Sequence, residues 1–500
     1  MSDLEYLSLS KPMKLFYRIG RKFKNFGHSF CNFFKTLPSK TVKFFKKIKN
    51  PFVFLSDAFR FGGWKTRISF LIFGFGNLVN GQFFRGLLYL LYECVFVFFM
   101  ITFGVPYLSK FDTLGTVQTY ENPETGFKTV GDNSFNILLY SVITILVILC
   151  TIYCWYQSIK QAYLVRQMTD VNKKLSSGRD DLKQLGNKYY HTTLLSLPML
   201  GLVVFTIVPL IFMIFVSFAN YNTEHLPPEK LFTWVGFGNF NTMLTGAGLS
   251  GGNSIKFNYS FRIILGWTLL WAVLATFTNF FLGMVVAIVI NKKGIKFKKI
   301  WRTILVTTIA VPQFVSLLLM NKMLQSDGVY NNLLTLMGLQ TINFLTDPFL
   351  AKVTVVVVNL WVGIPYTVLS CTGILMNIPE DLYEAAKIDG ANSYKMYMNI
   401  TLPYMMFVMT PSLITTFIGN LNNFNIIYLL TGGGPNLDPN MVSTAGQTDL
   451  LITWLYKLTV NDQAYDMASV IGILVFVICA IISLIFYSNT NSFKNEEDFQ

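Results

Sequence analysis

The chain has 500 residues, 52 % of them hydrophobic, 16 % aromatic and only 13 % charged. Soluble globular chains are about 25 % charged, so this composition excludes a string of soluble domains. The net charge of +14 does not point to nucleic acid. Lys and Arg gather in the first 65 residues and at the ends of apolar runs, as orientation of membrane spans requires.

Residues 11–50 hold twelve Lys or Arg and no acid, interleaved with Phe23, Phe26, Phe30 and Phe33. This reads either as a segment lying on an anionic leaflet or as a basic tail obeying the orientation rule. Residues 67–80 are apolar but too short to span, and read as interfacial or re-entrant. Eight spans follow, near 84–108, 135–158, 192–217, 263–290, 302–323, 350–376, 405–430 and 466–488, each of about the 20 residues a bilayer core needs. The expected fold is all-α and polytopic. Its expected division is a basic N-terminal segment (1–66), an N-terminal membrane region (67–190), a transmembrane core (191–490) and a tail (491–500).

Loop charge sets the orientation. Residues 159–190 carry seven basic and three acidic groups, and Lys292 to Arg302 holds six basic groups and no acid. By contrast, 324–349 has no Lys or Arg, and 109–134 has two against four acids. Both termini are therefore expected in the cytoplasm. The loop 377–404 then falls inside although it holds four acids and two Lys, which calls for a functional reason.

Several motifs fail. Gly246, Gly248 and Gly251 match a dinucleotide fingerprint but follow no strand. No phosphate-binding P-loop occurs, and three His (His28, His191, His225) suggest no catalytic residues and no metal site. The six Cys, Cys31, Cys94, Cys150, Cys154, Cys371 and Cys479, support neither a disulfide framework nor zinc. Glu93, inside the first span, reads either as a proton relay or as a local hydrogen-bond acceptor.

The segment Pro379 to Ala391 reads as a short helix stopped by a glycine turn. Pro379, Glu380 and Asp381 suit its start, and Gly390 suits a left-handed stop. Asn392 to Ile400 predicts a second helix that Leu402-Pro403 ends. Glu384-Ala385-Ala386-x-x-Asp389-Gly390-Ala391, followed by Ile400-x-Leu402-Pro403, resembles the EAA motif of ABC importer permeases. Trp361-Val362-Gly363-Ile364-Pro365-Tyr366, Asn420 to Phe424, Leu430 to Pro435 and Ala445 to Leu451 are similar to the maltose/maltodextrin permeases of the MalF type. The resemblance covers about residues 190–490. One departure is the loop 218–261. Gram-negative maltose permeases carry a large folded domain there, so docking to a binding protein would rely on smaller loops.

Ser412, Thr416, Asn420 and Asn423 are spaced four, four and three, which places them on one face of the span 405–430. A polar stripe of this kind faces other helices or a wet cavity, not lipid. Interhelical hydrogen bonding and a sugar pocket both account for it, with Tyr366, in a span broken by Gly363 and Pro365, offering an aromatic face. The resemblance favours the pocket and implies substrate contacts at Val362, Gly363, Tyr366, Thr416, Asn420, Asn423, Ile309 and Gln313. At Ile309 and Gln313 the sequence departs from an aromatic and a small hydroxyl residue.

The resemblance also implies that Glu384, Ala385, Ala386, Asp389, Gly390 and Ala391 couple the chain to an ATPase. The implied function is a non-enzymatic permease subunit moving maltose or malto-oligosaccharides, or a related oligosaccharide, across a bacterial cell membrane. Its partners would be a second, MalG-type permease, two MalK-type ATPase subunits that bind the ATP, and a MalE-type extracytoplasmic sugar-binding protein. The chain would bind no cofactor of its own. The alternatives are a proton-coupled secondary transporter, with Glu93 as relay, and a non-transporting membrane scaffold.

Overall fold

The computed structural model describes residues 51–121, 128–171, 175–246, 253–292, 294–438 and 444–488. The basic segment 11–50, Cys31, the tail 491–500 and the Gly248–Gly251 stretch lie outside them. Among the described residues the elements are helices, apart from a two-residue antiparallel pair, β1 (Tyr120–Glu121) with β2 (Lys128–Thr129), and two isolated bridges, Ala219–Trp234 and Asn436–Gly446. It divides into two units: one built on the described parts of Met1–Asp112 and Asn136–Pro209, the other on Thr113–Phe135 and those of Leu210–Gln500.

In the first unit the short helices α1 (Gly63–Ile68) and α2 (Phe75–Val79) precede the span α3 (Phe83–Leu108) and the long α4 (Ser134–Asp170). The turn between α1 and α2 holds irregular backbone among apolar neighbours, where each unbonded amide is costly. Side chains from the spans satisfy it. Glu93 accepts from the Phe73 N–H at 2.9 Å, Ser158 accepts from the Gly74 N–H at 2.8 Å, and the Trp155 indole donates to the Phe70 carbonyl at 2.9 Å. Glu93 is thus committed locally, which leaves the proton-relay reading without support. Beyond α4, helix α5 (Gly178–Gly186) returns Asp181 to Arg85, whose guanidinium meets both carboxylate oxygens at 2.6 Å. Helix α6 (Tyr190–Val216) then passes from the first unit to the second.

The second unit contains α7 (Gly238–Thr245), α8 (Asn253–Asn291), α9 (Lys298–Ala310), α10 (Gln313–Leu324) and α11 (Val329–Leu336). There follow α12 (Pro348–Leu375), α13 (Glu380–Ile388), α14 (Ser393–Leu421), α15 (Phe424–Thr431), α16 (Leu451–Val460) and α17 (Tyr465–Ser488). Helices α8 and α12 form its axis. They approach closely because glycine faces a side chain twice: a Cβ at Gly283 would lie 2.6 Å from Thr367 Cβ, and one at Gly363 would lie 2.6 Å from the Asn279 amide.

Four sequence expectations are corrected. The span 302–323 is not one helix: α9 and the α10–α11 segment bend by 89° at Val311–Pro312. Proline has no N–H to continue the ladder, and it drives the preceding residue into extended conformation, as the Val311 ψ of 125° shows. The span 405–430 ends at Leu421, and a separate helix starts at Phe424. Pro403, in turn, does not end a helix. The chain widens to a π turn over Tyr397–Thr401, and Pro403 sits in the first turn of the regular helix beyond, where its missing N–H matters least. Likewise Pro365 is carried inside a continuous α12, so Gly363 and Pro365 do not break that span.

The motifs 430–435 and 445–451 form one knot. The Thr431 and Thr448 hydroxyls are 2.7 Å apart, Thr448 Oγ1 donates to the Gly434 carbonyl at 2.7 Å, and Gln447 N–H donates to the Pro435 carbonyl at 2.7 Å. Beneath them Asp449, fully buried, accepts from Lys457 at 2.7 Å, Thr453 at 2.9 Å and the Gly446 N–H at 2.7 Å. Burial pushes the Asp449 carboxyl up, while Lys457, Thr453 and Gly446 pull it back. Lys457→Met leaves this carboxyl buried and unpaired and is expected to cost about 3–5 kcal/mol, read as a lower thermal unfolding midpoint. Adding Asp449→Asn should recover much of that loss; a double variant as unstable as the single would show that the pair is not the source.

Candidate functional site

Two places in the second unit gather the residues singled out by the sequence. The first is a polar layer around α8. Thr276 and Asn279 lie one turn apart on that helix, and each meets a different neighbour. Asn420 of α14 donates to Thr276 Oγ1 at 3.0 Å, and Asn279 lies against Gly363 of α12. Asn423 Nδ2 reaches Asn420 Oδ1 at 3.4 Å. The α14 helix ends here, and the ending is built. Trp271 Nε1 donates to the Asn420 carbonyl at 3.1 Å, which also accepts from the Asn423 N–H at 3.3 Å, and Asn423 caps α15 by accepting from the Ile426 N–H at 3.5 Å.

The four-residue stripe is therefore only partly a stripe. Asn423 lies beyond the end of α14, so it shares no helical face with Ser412, Thr416 and Asn420. Asn420 is buried and committed to Thr276 between helices. Ser412 and Thr416 are exposed, as is Tyr366, while Val362 packs beside the apolar cluster of Trp271, Val358 and Ile427. Ile309 and Gln313 are half-buried on either side of the bend at Val311–Pro312. Helix α9, with Ile309, packs on α12, and α10, with Gln313, packs on α15.

Two residues of this layer escaped the sequence reading. Asn279 donates its Nδ2 to the Ala275 carbonyl at 2.8 Å, but its Oδ1 is buried without a partner among the described residues. Asn359, 4 % exposed and one turn before Gly363, has a buried Nδ2 with no partner among the described residues. Buried polar groups are nearly always bonded, and an orphan costs about 1–3 kcal/mol. One acceptor and one donor thus stand open on the two axial helices. Asparagine within an apolar span was the available signal.

The second place is the loop 377–404. Pro379 occupies the N-cap of α13, with Glu380 and Asp381 in its first turn. Gly390 has φ +73°. Its N–H bonds the Lys387 carbonyl at 3.0 Å, and the Ala391 N–H bonds the Ala386 carbonyl at 2.9 Å. That pair of bonds is a Schellman stop. Asn392 then caps α14 by accepting from the Lys395 N–H at 2.9 Å. Glu384, Ala385, Asp389 and Gly390 are exposed, whereas Ala386 and Ala391 are half-buried. The helix and glycine turn expected here are both present, and the loop presents an acidic outer face with small residues beside it.

Residues 279–492 match the family of binding-protein-dependent transport system inner membrane components. The chain is 34 % identical over 429 residues to the galactooligosaccharides transport system permease protein GanP of Bacillus subtilis, covering 85 % of this chain and 97 % of that one. It is also 34 % identical to the maltodextrin transport system permease protein MdxF of the same organism, over 87 % of this chain and 97 % of that one. The maltose/maltodextrin permease MalF of Vibrio parahaemolyticus is 40 % identical over 233 residues, 45 % of this chain and 44 % of that one. The chain belongs to this family. It is a membrane permease subunit of the ABC importer type related to MalF, and not itself an enzyme.

The Gly363–Asn279 approach makes a direct prediction. Gly363→Ala forces a methyl onto the Asn279 amide and should cost about 1–3 kcal/mol, seen as a drop in unfolding temperature of the purified complex. Asn279→Ala should relieve part of that drop. Strictly additive effects of the two substitutions would contradict the contact.

Proposed function

We propose that this permease carries maltose or malto-oligosaccharides, or a closely related oligosaccharide, into the cell. The observation that carries this reading is the polar layer at α8, α12 and the α14–α15 break, with an open buried acceptor on Asn279 and an open buried donor on Asn359. A neutral polyol needs such groups, since each hydroxyl donates and accepts. Tyr366 supplies an exposed aromatic face for sugar C–H groups. Thr416 adds an exposed hydroxyl, Asn420 and Asn423 brace the layer through Thr276 and each other, and Val362, Ile309 and Gln313 complete the wall. The relatives named for galactooligosaccharides and maltodextrin support an oligosaccharide over a monosaccharide.

Transport on this reading is driven by ATP hydrolysis in two separate ATPase subunits, on which α13 sits. Glu384 faces a basic group of the ATPase, and the Gly390 turn sets the angle at which α13 meets its span. A second homologous permease completes the pathway, and an extracytoplasmic binding protein delivers sugar. The charge of the loops supports cytoplasmic termini in a bacterial cell membrane. Helix ends and bends at Val311–Pro312 and Asn422–Asn423 provide the discontinuities around which a mid-membrane site opens alternately.

Uptake of labelled maltodextrin by the reconstituted transporter tests both halves. Glu384→Lys and Gly390→Pro should each abolish uptake while the binding protein keeps its sugar affinity; normal uptake in either variant would refute the ATPase-coupled reading. Tyr366→Ala should leave the complex assembled but reduce uptake about tenfold, the equivalent of roughly 1.4 kcal/mol. Competition by galactooligosaccharide against maltodextrin then decides which sugar is carried.

A further inference from the structure

Helix α13 has an inner and an outer side. Glu384, Ala385, Lys387 and Ile388 are exposed, while Tyr383 and Ala386, three apart, are half-buried and turn toward the protein. From that inner side the Tyr383 hydroxyl lies 2.9 Å from Thr401 Oγ1. Thr401 is buried and closes the π turn Tyr397–Thr401. The residues around that turn are anchored: Tyr397, Leu402 and Met405 belong to one apolar cluster with Phe280 and Met284 of α8 and Val368 and Cys371 of α12. Helices α8 and α12 are the ones that carry Asn279 and Gly363.

We propose that the Tyr383–Thr401 hydrogen bond is the latch that converts displacement of α13 into movement of α14 and the α8–α12 axis. Tyr383 is a positioning residue for ATP-driven transport, and this inference rests on the coupling role proposed above for Glu384. Helix α13 hangs between two turns: Asn377 to Pro379 leads in, and the glycine turn at Gly390 leads out. A rigid helix hung between two turns transmits a push poorly unless a contact in its middle ties it down. Tyr383 makes that tie at mid-helix, next to the residue that would face the ATPase. The π turn at the other end of the bond is a wide, locally weakened turn of the kind that recurs at functional sites. A pull on Thr401 acts directly on the π turn, where the α14 ladder is already widened.

The test compares Tyr383→Phe, Thr401→Val, Thr401→Ser and the Phe/Val double variant in proteoliposomes. The full transporter is used, with binding protein and sugar present, and the ratio of sugar transported to ATP hydrolysed is measured. Tyr383→Phe keeps the ring and its packing and removes only the hydroxyl. It should assemble with the ATPase subunits and hydrolyse ATP, but transport per ATP should fall about three- to tenfold, the range one hydrogen bond allows. Thr401→Val should match it, the double variant should be no worse than either single one, and Thr401→Ser should restore the ratio. A wild-type ratio in Tyr383→Phe, or effects that multiply in the double variant, overturns the latch while leaving the coupling loop intact. Loss of ATPase assembly in Tyr383→Phe also overturns it, since the hydroxyl would then merely hold the docking surface in shape. Normal transport by Glu384→Lys, measured alongside, would remove the coupling reading itself and the latch with it.

Discussion

A backbone amide inside a bilayer has no water to bond to, and this constraint decides where the chain is allowed to be irregular. Several departures from regular helix come with a side chain that answers them. Glu93, Ser158 and Trp155 serve the turn between α1 and α2. Trp271 and Asn423 serve the gap between α14 and α15. Lys457, Thr453 and the Gly446 N–H hold the buried Asp449 carboxylate of the 431–450 loop. Within the spans, polar residues concentrate where helical regularity fails. The candidate site is one of these failures.

Hydropathy and loop charge made the fold class and most spans legible in the sequence, because long apolar runs have few alternatives in lipid. The breaks were less visible. Pro312 is a plain signal, yet its surroundings are as apolar as those of Pro365, and only the former interrupts a helix. The difference lies in packing: Pro365 is buried on α12, the axial partner of α8, whereas α9 and the exposed Pro312 have little around them to hold a straight path. The gap at Asn422–Asn423 carries no proline at all. It depends on an indole 149 residues away in sequence, and no local pattern could reveal that.

The same distinction separates the two candidate places. The loop 377–404 is local chemistry: Pro379, the acids and Gly390 dictate a short capped helix, and the structure shows that helix with its left-handed stop. The polar layer is assembled from four helices. Spacing placed Thr416 and Asn420 on one helix, but it assigned Asn423 to a helix that has already ended and passed over Asn279 and Asn359. Only the three-dimensional arrangement shows which polar atoms are already occupied. Asn420 is spent on Thr276, while two others stand open.

Those two open amide atoms bear on discrimination as much as on affinity. A pocket made only of apolar walls and stacking rings tolerates a sugar that lacks a hydroxyl, because nothing is left stranded. A pocket with a buried acceptor and a buried donor awaiting partners penalises the deoxy analogue on both sides, since protein groups and ligand are then mismatched together. On the proposed reading, fidelity is written into Asn279 and Asn359 before any sugar arrives, and the permease acts as a second examiner of what the binding protein hands over.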